Sequence, residues 1–182
     1  MSSKKPFKVT GTKVVYKNGL LSVSSDVVVY ENGPARQFTK VVMKSGSSIL
    51  AINDKDEVYL TEEFKYAIDE VSTEAVSGGI DGKETPLETA KRELEEEAGL
   101  VAKEWIELGL VHPFTSAISS PNYMFLARNL TETEQKLEDS EVIKIVRIPF
   151  REAVQKVMSG DIKHAATCTL ILKAEKYLSL KK

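Results

Sequence analysis

The chain has 182 residues, 42% of them hydrophobic and 29% charged, with a net charge of −2, which describes a soluble globular protein with one ordinary domain and a sizeable core. That charge leaves no electrostatic footprint for nucleic acid or an anionic membrane, and no apolar run approaches a membrane span. The N-terminal MSSKKPFKV has no apolar stretch of a secretory signal, and the single cysteine, Cys168, excludes an internal disulfide framework and fits a reducing cytoplasm.

Residues 7–62 read as β structure in short runs, with antiparallel pairing expected from the regular turn spacing. Val14-Val15-Tyr16 meets Asn18-Gly19, a hairpin dipeptide. Leu20–Val23 and Asp26–Tyr30 make a second strand region, closed by Glu31-Asn32-Gly33-Pro34. Phe38–Met43 is a third strand, Ser48–Asn53 a fourth and Glu57–Leu60 a fifth, the last two joined across Asn53-Asp54-Lys55-Asp56. Residues 1–45 are read as an N-terminal β-rich segment and residues 46–182 as the main domain, with no internal repeat or linker. Glu62–Tyr66 leads on into Val71–Val76.

Gly78 to Leu100 reads as a loop feeding a helix. Thr85-Pro86-Leu87-Glu88 is a capping box with proline at the first helical position, and Gly99 is the stop. Leu87, Ala90, Leu94 and Ala98 recur at helical spacing and face a core. At 3.6 residues per turn Glu97 lies about 40° and Glu96 about 60° from Glu93, while Glu95 points about 160° away. Glu93, Glu96 and Glu97 thus share one face. Like charges at these spacings cost a helix tenths of a kcal/mol, and the macrodipole disfavours anions near the C-terminal end. Helix physics does not ask for such a patch; a hard divalent cation with phosphate co-ligands does. The plain alternative is a solvated acidic face.

Glu104–Val111 is strand-like, with Trp105 a packing residue. His112 is a structural histidine or a general base. Tyr123–Ala127 is a further strand, Thr131–Ser140 an acid-rich loop, and Val142–Ile148, begun by Glu141, a strand that stops at Pro149. Arg151–Met158 is a short helix ended by Gly160, and Ala165–Leu180 a longer one packing through Leu170, Ile171, Ala174, Tyr177 and Leu178. Cys168 in this helix reads as a small buried hydrophobe.

Gly78, five residues, Glu84, seven residues, then Arg92-Glu93-Leu94, Glu96-Glu97 and Gly99-Leu100 resembles the Nudix box with every fixed position filled. The resemblance implies an α/β/α sandwich on a mixed sheet, here preceded by an antiparallel β segment. It implies hydrolysis of the diphosphate in a nucleoside diphosphate linked to another group. Glu93, Glu97 and Glu96, with the Ser77 carbonyl, are then the ligands of Mg²⁺, with Mn²⁺ as the alternative ion. Arg92 pairs with Glu84 and orients the carboxylates. Glu138 and Glu141 on the following loop are candidate general bases, with Glu96 as fallback. The ADP-ribose pyrophosphatase branch is the most similar: Glu74 and Pro113 stand where that branch has them, while Glu63 and Lys65 replace its common Gln and Arg. Lys65, Glu74 and Gly78 are the substrate-binding candidates. The plain alternative for Lys65 is a surface lysine, and for Glu74 half of a cross-strand ion pair. The branch also implies a homodimer and a nucleotide-sugar substrate such as ADP-ribose. A non-catalytic nucleotide-binding regulator on the same fold is the alternative from another class.

Overall fold

The structure, a computed structural model, describes residues 5–137 and 142–181. Among these the chain runs β1 (Phe7–Lys17), β2 (Leu21–Tyr30), β3 (Arg36–Met43), β4 (Gly46–Ile52), β5 (Glu57–Lys65), β6 (Glu70–Glu74), β7 (Val76–Gly79), α1 (Pro86–Ala98), β8 (Leu100–Val111), β9 (Ile118–Ser119), β10 (Asn122–Glu132), β11 (Lys144–Pro149), α2 (Phe150–Ser159) and α3 (Ala165–Ser179). Two units divide it.

The first unit is the chain up to Lys44 together with His112–Ser120. Its sheet has the order β1-β2-β3-β9, with β1, β2 and β3 antiparallel and β9 parallel to β3. The Asn18-Gly19 turn works through its side chain as well as its backbone. Asn18 Oδ1 accepts the Leu20 and Leu21 amides at 2.9 and 2.8 Å, which closes the β1–β2 hairpin. The two apolar runs on either side of Ser24-Ser25 are one continuous strand. Ser24 and Asp26 turn inward along it and are buried, so the polar break in the sequence is not a break in the ladder.

The second unit is Ser45–Val111 with the chain from Pro121 onward. Its mixed sheet has the order β11-β5-β4-β10-β8, with β6 added beside β5 and β7 beside β4. β4 lies at the centre, parallel to β10 and antiparallel to β5. From Ile49 to Ile52 it reads as an unbroken apolar run because both its faces are covered. Ile49 and Ala51 pack with Ala90 and Leu94 of α1. Leu50 and Ile52 pack with Ala153 of α2 and with Leu170, Ile171 and Ala174 of α3. Helices on both faces of a mixed sheet make the three-layer arrangement that the sequence implied.

Several boundaries differ from the sequence reading. The strand after the box helix starts at Leu100, not Glu104, because Gly99 turns the chain straight into β8. β10 runs through Glu132, so Thr131 and Glu132 belong to a strand: Leu130, Thr131 and Glu132 pair with Ala102, Val101 and Leu100. β11 begins at Lys144 and includes Pro149, whose lack of an N–H is tolerated at the end of an edge ladder. The predicted run Val71–Val76 is two strands that change neighbours at Ala75, β6 pairing β5 and β7 pairing β4. No helix among the described residues is long and apolar enough to cross a membrane.

Candidate active site

α1 is fixed at both ends by local chemistry. Thr85 is extended (φ −77°, ψ 157°), and its hydroxyl accepts the Glu88 amide at 3.3 Å while Glu88 Oε2 accepts the Thr85 amide at 2.7 Å. At the other end Gly99 is left-handed (φ +60°), and its N–H reaches the Glu95 carbonyl at 3.0 Å. With Ala90 and Leu94 fully buried, the next face round carries Glu93 and Glu97, which keep only 9% and 8% of their surface. Two carboxylates so enclosed on one face are costly unless charge or hydrogen bonds meet them.

Both acids open onto a cleft of about 220 Å³ formed by Ser77, Gly78 and Gly79 of β7, Asp81, the α1 residues Arg92, Glu93, Glu96 and Glu97, and Lys136. Glu97 Oε2 accepts the Ser77 amide at 3.3 Å. The Glu93 carboxylate lies against Gly78 where a larger residue would carry its Cβ. Glu96 is the more exposed member of the patch, and Glu95 turns away to pair with Lys136 at 3.3 Å.

Arg92 ties this cleft together. Its Nε and Nη2 donate to the two oxygens of Glu84 at 2.9 and 3.2 Å, a fork-on-carboxylate contact. Its Nη1 donates to Glu96 at 2.9 Å and stands 2.8 Å from Glu93 Oε1. Its Nη2 also reaches the Gly79 carbonyl at 3.3 Å. The guanidinium, with a hydrogen bond from the Thr89 hydroxyl, holds the Glu84 carboxyl down to about 2. The same Glu84 contact, against some burial, raises the Arg92 pKa further. Arg92 thus anchors the loop carboxylate and orients two of the three patch acids.

Lys65 and Glu74 come together on β5 and β6. Lys65 donates to Glu63 in a short contact and stands 4.0 Å from Glu74 Oε2. Burial pulls the lysine pKa down, but the Glu63 hydrogen bond and the charges of Glu74, Glu63 and Glu97 outweigh it and leave it raised. His164 also reaches Glu74, its Nδ1 lying 3.3 Å from Oε2. Sequence reasoning missed His164. Its place just before a helix marks it as a terminal residue, and nothing local says that the helix begins against β6. His112 falls in the first unit. Trp105 packs edge-on to Phe125 and donates to the Ala102 carbonyl at 3.1 Å. Cys168 lies against the core and donates to the Ile162 carbonyl, and burial raises its thiol pKa.

The segment after β10 binds the C-terminal end of α1. The Thr133 amide donates to the Gly99 carbonyl at 2.7 Å and the Lys136 amide to the Glu96 carbonyl at 2.9 Å, while the Gln135 side chain donates to the Glu97 carbonyl. These bonds take up carbonyls that a helix end leaves open. Glu138 and Glu141, the two loop candidates for the general base, lie outside the described residues.

Among the described residues no three acidic, imidazole or thiol groups already converge on one point to hold an ion by themselves. The side-chain donors are nevertheless all oxygen: the Glu93, Glu97 and Glu96 carboxylates line one cleft with Ser77. Such a set fits Mg²⁺ or Mn²⁺, ions that protein sites often hold through one or two carboxylates plus waters and substrate phosphates.

Comparisons with known proteins bear on the family. A family model described as NUDIX domain matches residues 43–167. ADP-ribose pyrophosphatase of Bacillus subtilis (strain 168) is 24% identical over 176 residues, covering 96% of this chain and 93% of that protein. The methanol dehydrogenase activator of Bacillus methanolicus is 23% identical over 165 residues, 88% of each chain. The CMP-5'-(N-acetyl-N-hydroxy-3-aminopropyl)phosphonate hydrolase of Streptomyces rubellomurinus (strain ATCC 31215) is 26% identical, covering 89% of this chain and 79% of that one. A solved structure titled as an ADP compounds hydrolase superposes with a TM-score of 0.85 at 21% identity, covering 100% of this chain and 98% of that one. With the box filled at every fixed position, its acids gathered on one cleft and the family match spanning most of the chain, this protein belongs to the Nudix family of hydrolases.

Proposed function

We propose that the protein hydrolyses the diphosphate of a nucleoside diphosphate sugar, with ADP-ribose giving AMP and ribose 5-phosphate as the leading reaction. The observation that carries this reading is the pair of nearly buried carboxylates, Glu93 and Glu97, facing one polar cleft beside Ser77 and Gly78. The substrate choice is supported by the Bacillus subtilis relative, named an ADP-ribose pyrophosphatase, which aligns over nearly the whole chain.

Glu93, Glu97, Glu96 and the Ser77 carbonyl would hold Mg²⁺ or, in its place, Mn²⁺. When bound, the ion would neutralise phosphate oxygens and lower the pKa of a water, giving a nucleophile near neutral pH. Arg92 keeps Glu93 and Glu96 aimed at the cleft and takes no part in bond making. Glu141 or Glu138 accepts the proton of the attacking water, with Glu96 as the third candidate. Lys65 steadies the diphosphate as a point charge, without the fork of an arginine. Glu74 and Gly78 are the other substrate-side candidates, Glu74 beside Lys65 and Gly78 in the β7 wall of the cleft, where the Glu93 carboxylate lies over it. Water adds to one phosphorus as the bridging P–O bond breaks, and that oxygen leaves on the other phosphate.

The protein is further proposed to be a cytoplasmic homodimer, with neither nucleic acid nor membrane as partner. The dimer is supported by exposed apolar side chains along the first unit's sheet, among them Val9, Val14, Val15, Tyr16 and Phe38. The cytoplasm is supported by the lone free cysteine.

A second reading is a different nucleotide-linked substrate, favoured by the Streptomyces relative, named a hydrolase of a CMP-linked phosphonate, and by Glu63 and Lys65 in place of Gln and Arg. The test is kcat/KM with Mg²⁺ over ADP-ribose, ADP-glucose, GDP-mannose, CMP-linked esters, NADH, coenzyme A and 8-oxo-dGTP, with Glu97→Gln as control. ADP-ribose should lead, and Glu97→Gln should lose orders of magnitude in kcat. A preference above about tenfold for another class, some 1.4 kcal/mol in transition-state binding, moves the assignment to that class. Micromolar binding without turnover favours the regulator.

A further inference from the structure

Glu74 and the peptide after it are held by side chains from the far end of the sequence. Thr167 Oγ1 accepts the Ala75 amide at 2.9 Å. His164 Nδ1 lies 2.9 Å from that same hydroxyl and 3.3 Å from Glu74 Oε2. Thr61 Oγ1 donates to the Glu74 carbonyl at 3.2 Å. Ala75 and Thr167 are fully enclosed, and Glu74 nearly so. In such surroundings a lost partner leaves an amide or a carboxylate oxygen unsatisfied. His164 Nδ1 shares a hydrogen bond with the Thr167 hydroxyl, and the same nitrogen stands beside the Glu74 carboxylate.

The location gives these bonds their meaning. Ala75 is the residue between β6 and β7, where the chain leaves its pairing with β5 and joins β4. Its amide has no place in either ladder, and Thr167 supplies the acceptor. Two residues on, the Ser77 amide donates to Glu97, and the next residue is Gly78, against which Glu93 lies. The strand change at Ala75 therefore sets where Ser77 and Gly78 stand relative to the two buried acids of α1.

We propose that His164, the residue just before α3, and Thr167, in its first turn, are positioning residues for hydrolysis: they clasp Glu74 and Ala75 and so hold β7 in register with Glu93 and Glu97. The inference rests on the acid cleft being the reaction site. Neither side chain lines the cleft: Thr167 acts through the Ala75 amide at the start of β7, and His164 through Glu74 and Thr167.

The test uses the full chain and the variants His164→Ala, His164→Asn, Thr167→Val and Thr167→Ser. The two disruptive variants should lose about 10–100-fold in kcat, the range for partners that orient a site, with KM changed less than about threefold. Asn, which can present an amide N–H, and Ser, which keeps the hydroxyl, should restore most of the rate. Amide hydrogen exchange without metal or substrate gives a second readout: Thr167→Val should speed exchange at Ala75 and also at Ser77, with α1 and β4 amides unchanged. Wild-type kinetics in both disruptive variants overturns the proposal. So does faster exchange confined to Ala75, or a kcat loss that tracks a fall in Tm and is not rescued. An inactive wild-type protein on the diphosphate panel is a different result, the failure of the functional reading, and leaves the exchange measurement to decide the clasp.

Discussion

Gly78 and Glu93 compete for one volume. A Cβ at position 78 would sit 1.8 Å from Glu93 Oε1 and 1.9 Å from its Cδ. The clash is with the tip of a flexible side chain, so Gly78→Ala should fold, with stability changed by no more than about 1 kcal/mol. The cost falls on the carboxylate, which must swing off β7 and reorient about Arg92. We expect kcat to fall by about a hundredfold, as when a ligand's orienting contacts are lost, checked by initial rates beside a urea midpoint. Glu84 gives a residue-scale prediction of another kind. Its carboxyl sits at about 2 against an ordinary 4.5, held there by Arg92 and Thr89. A depressed folded pKa contributes stability above the unfolded value that is lost as pH falls through the folded one. Thermal melts from pH 7 to pH 2 should therefore show Glu84→Gln less stable than wild type at neutral pH. The gap should close between pH 4.5 and about 2. A constant gap across that range would place the Glu84 contribution in packing.

The box helix was legible at the level of the element because its signals are local. Thr85, Pro86 and Glu88 start it, Gly99 stops it, and the apolar spacing sets the buried face, each within a few residues of what it controls. Its attachments were not legible. Nothing near Glu95 says that it meets Lys136, and nothing near Glu97 says that Gln135 covers its carbonyl. Those partners arrive after three further strands, and their polar composition reads equally well as free loop. Gly99 joins the two levels: beyond its left-handed φ, a Cβ there would stand 2.9 Å from the Thr133 carbonyl oxygen, which is backbone and cannot swing aside. Gly99→Ala should cost about 1–2 kcal/mol from the left-handed conformation, with Tm lowered by roughly 2–8 °C. Calorimetry measures it, and an unchanged Tm would mean that the segment from Thr133 moves freely with α1.

For the whole molecule the same contrast holds. Strand presence was readable from short β-rich runs and turn residues, and the sandwich followed from the resemblance. The parallel partnership of β4 with β10, the change of neighbour at Ala75 and the brief β9 were not, because pairing is decided by which distant strand completes the sheet. The site divides likewise: the acids and Arg92 stand in one continuous stretch, whereas His164 and Thr167 meet Glu74 only through the fold. The proposed dimer is a prediction at this scale. Light scattering at micromolar concentration should give twice the 20.2 kDa chain mass, and a monomer would oppose it.

The pairing of Gly46 with Asn122 also sets an order of events during synthesis. β4 is made early and gains β5 and β7 along one edge, but the other edge of Ile49 to Ile52, fully buried in the finished fold, has no partner until the ribosome has passed β10. The first unit's sheet likewise waits for Ile118 and Ser119. Both sheets draw a strand from one late stretch, residues 118–127, so a chain stalled before it exposes an apolar strand with an open edge, the kind of segment that aggregates. Contacts this distant in sequence also close slowly. One edge of β4 therefore stays open for the time that translation takes to cross α1 and β8.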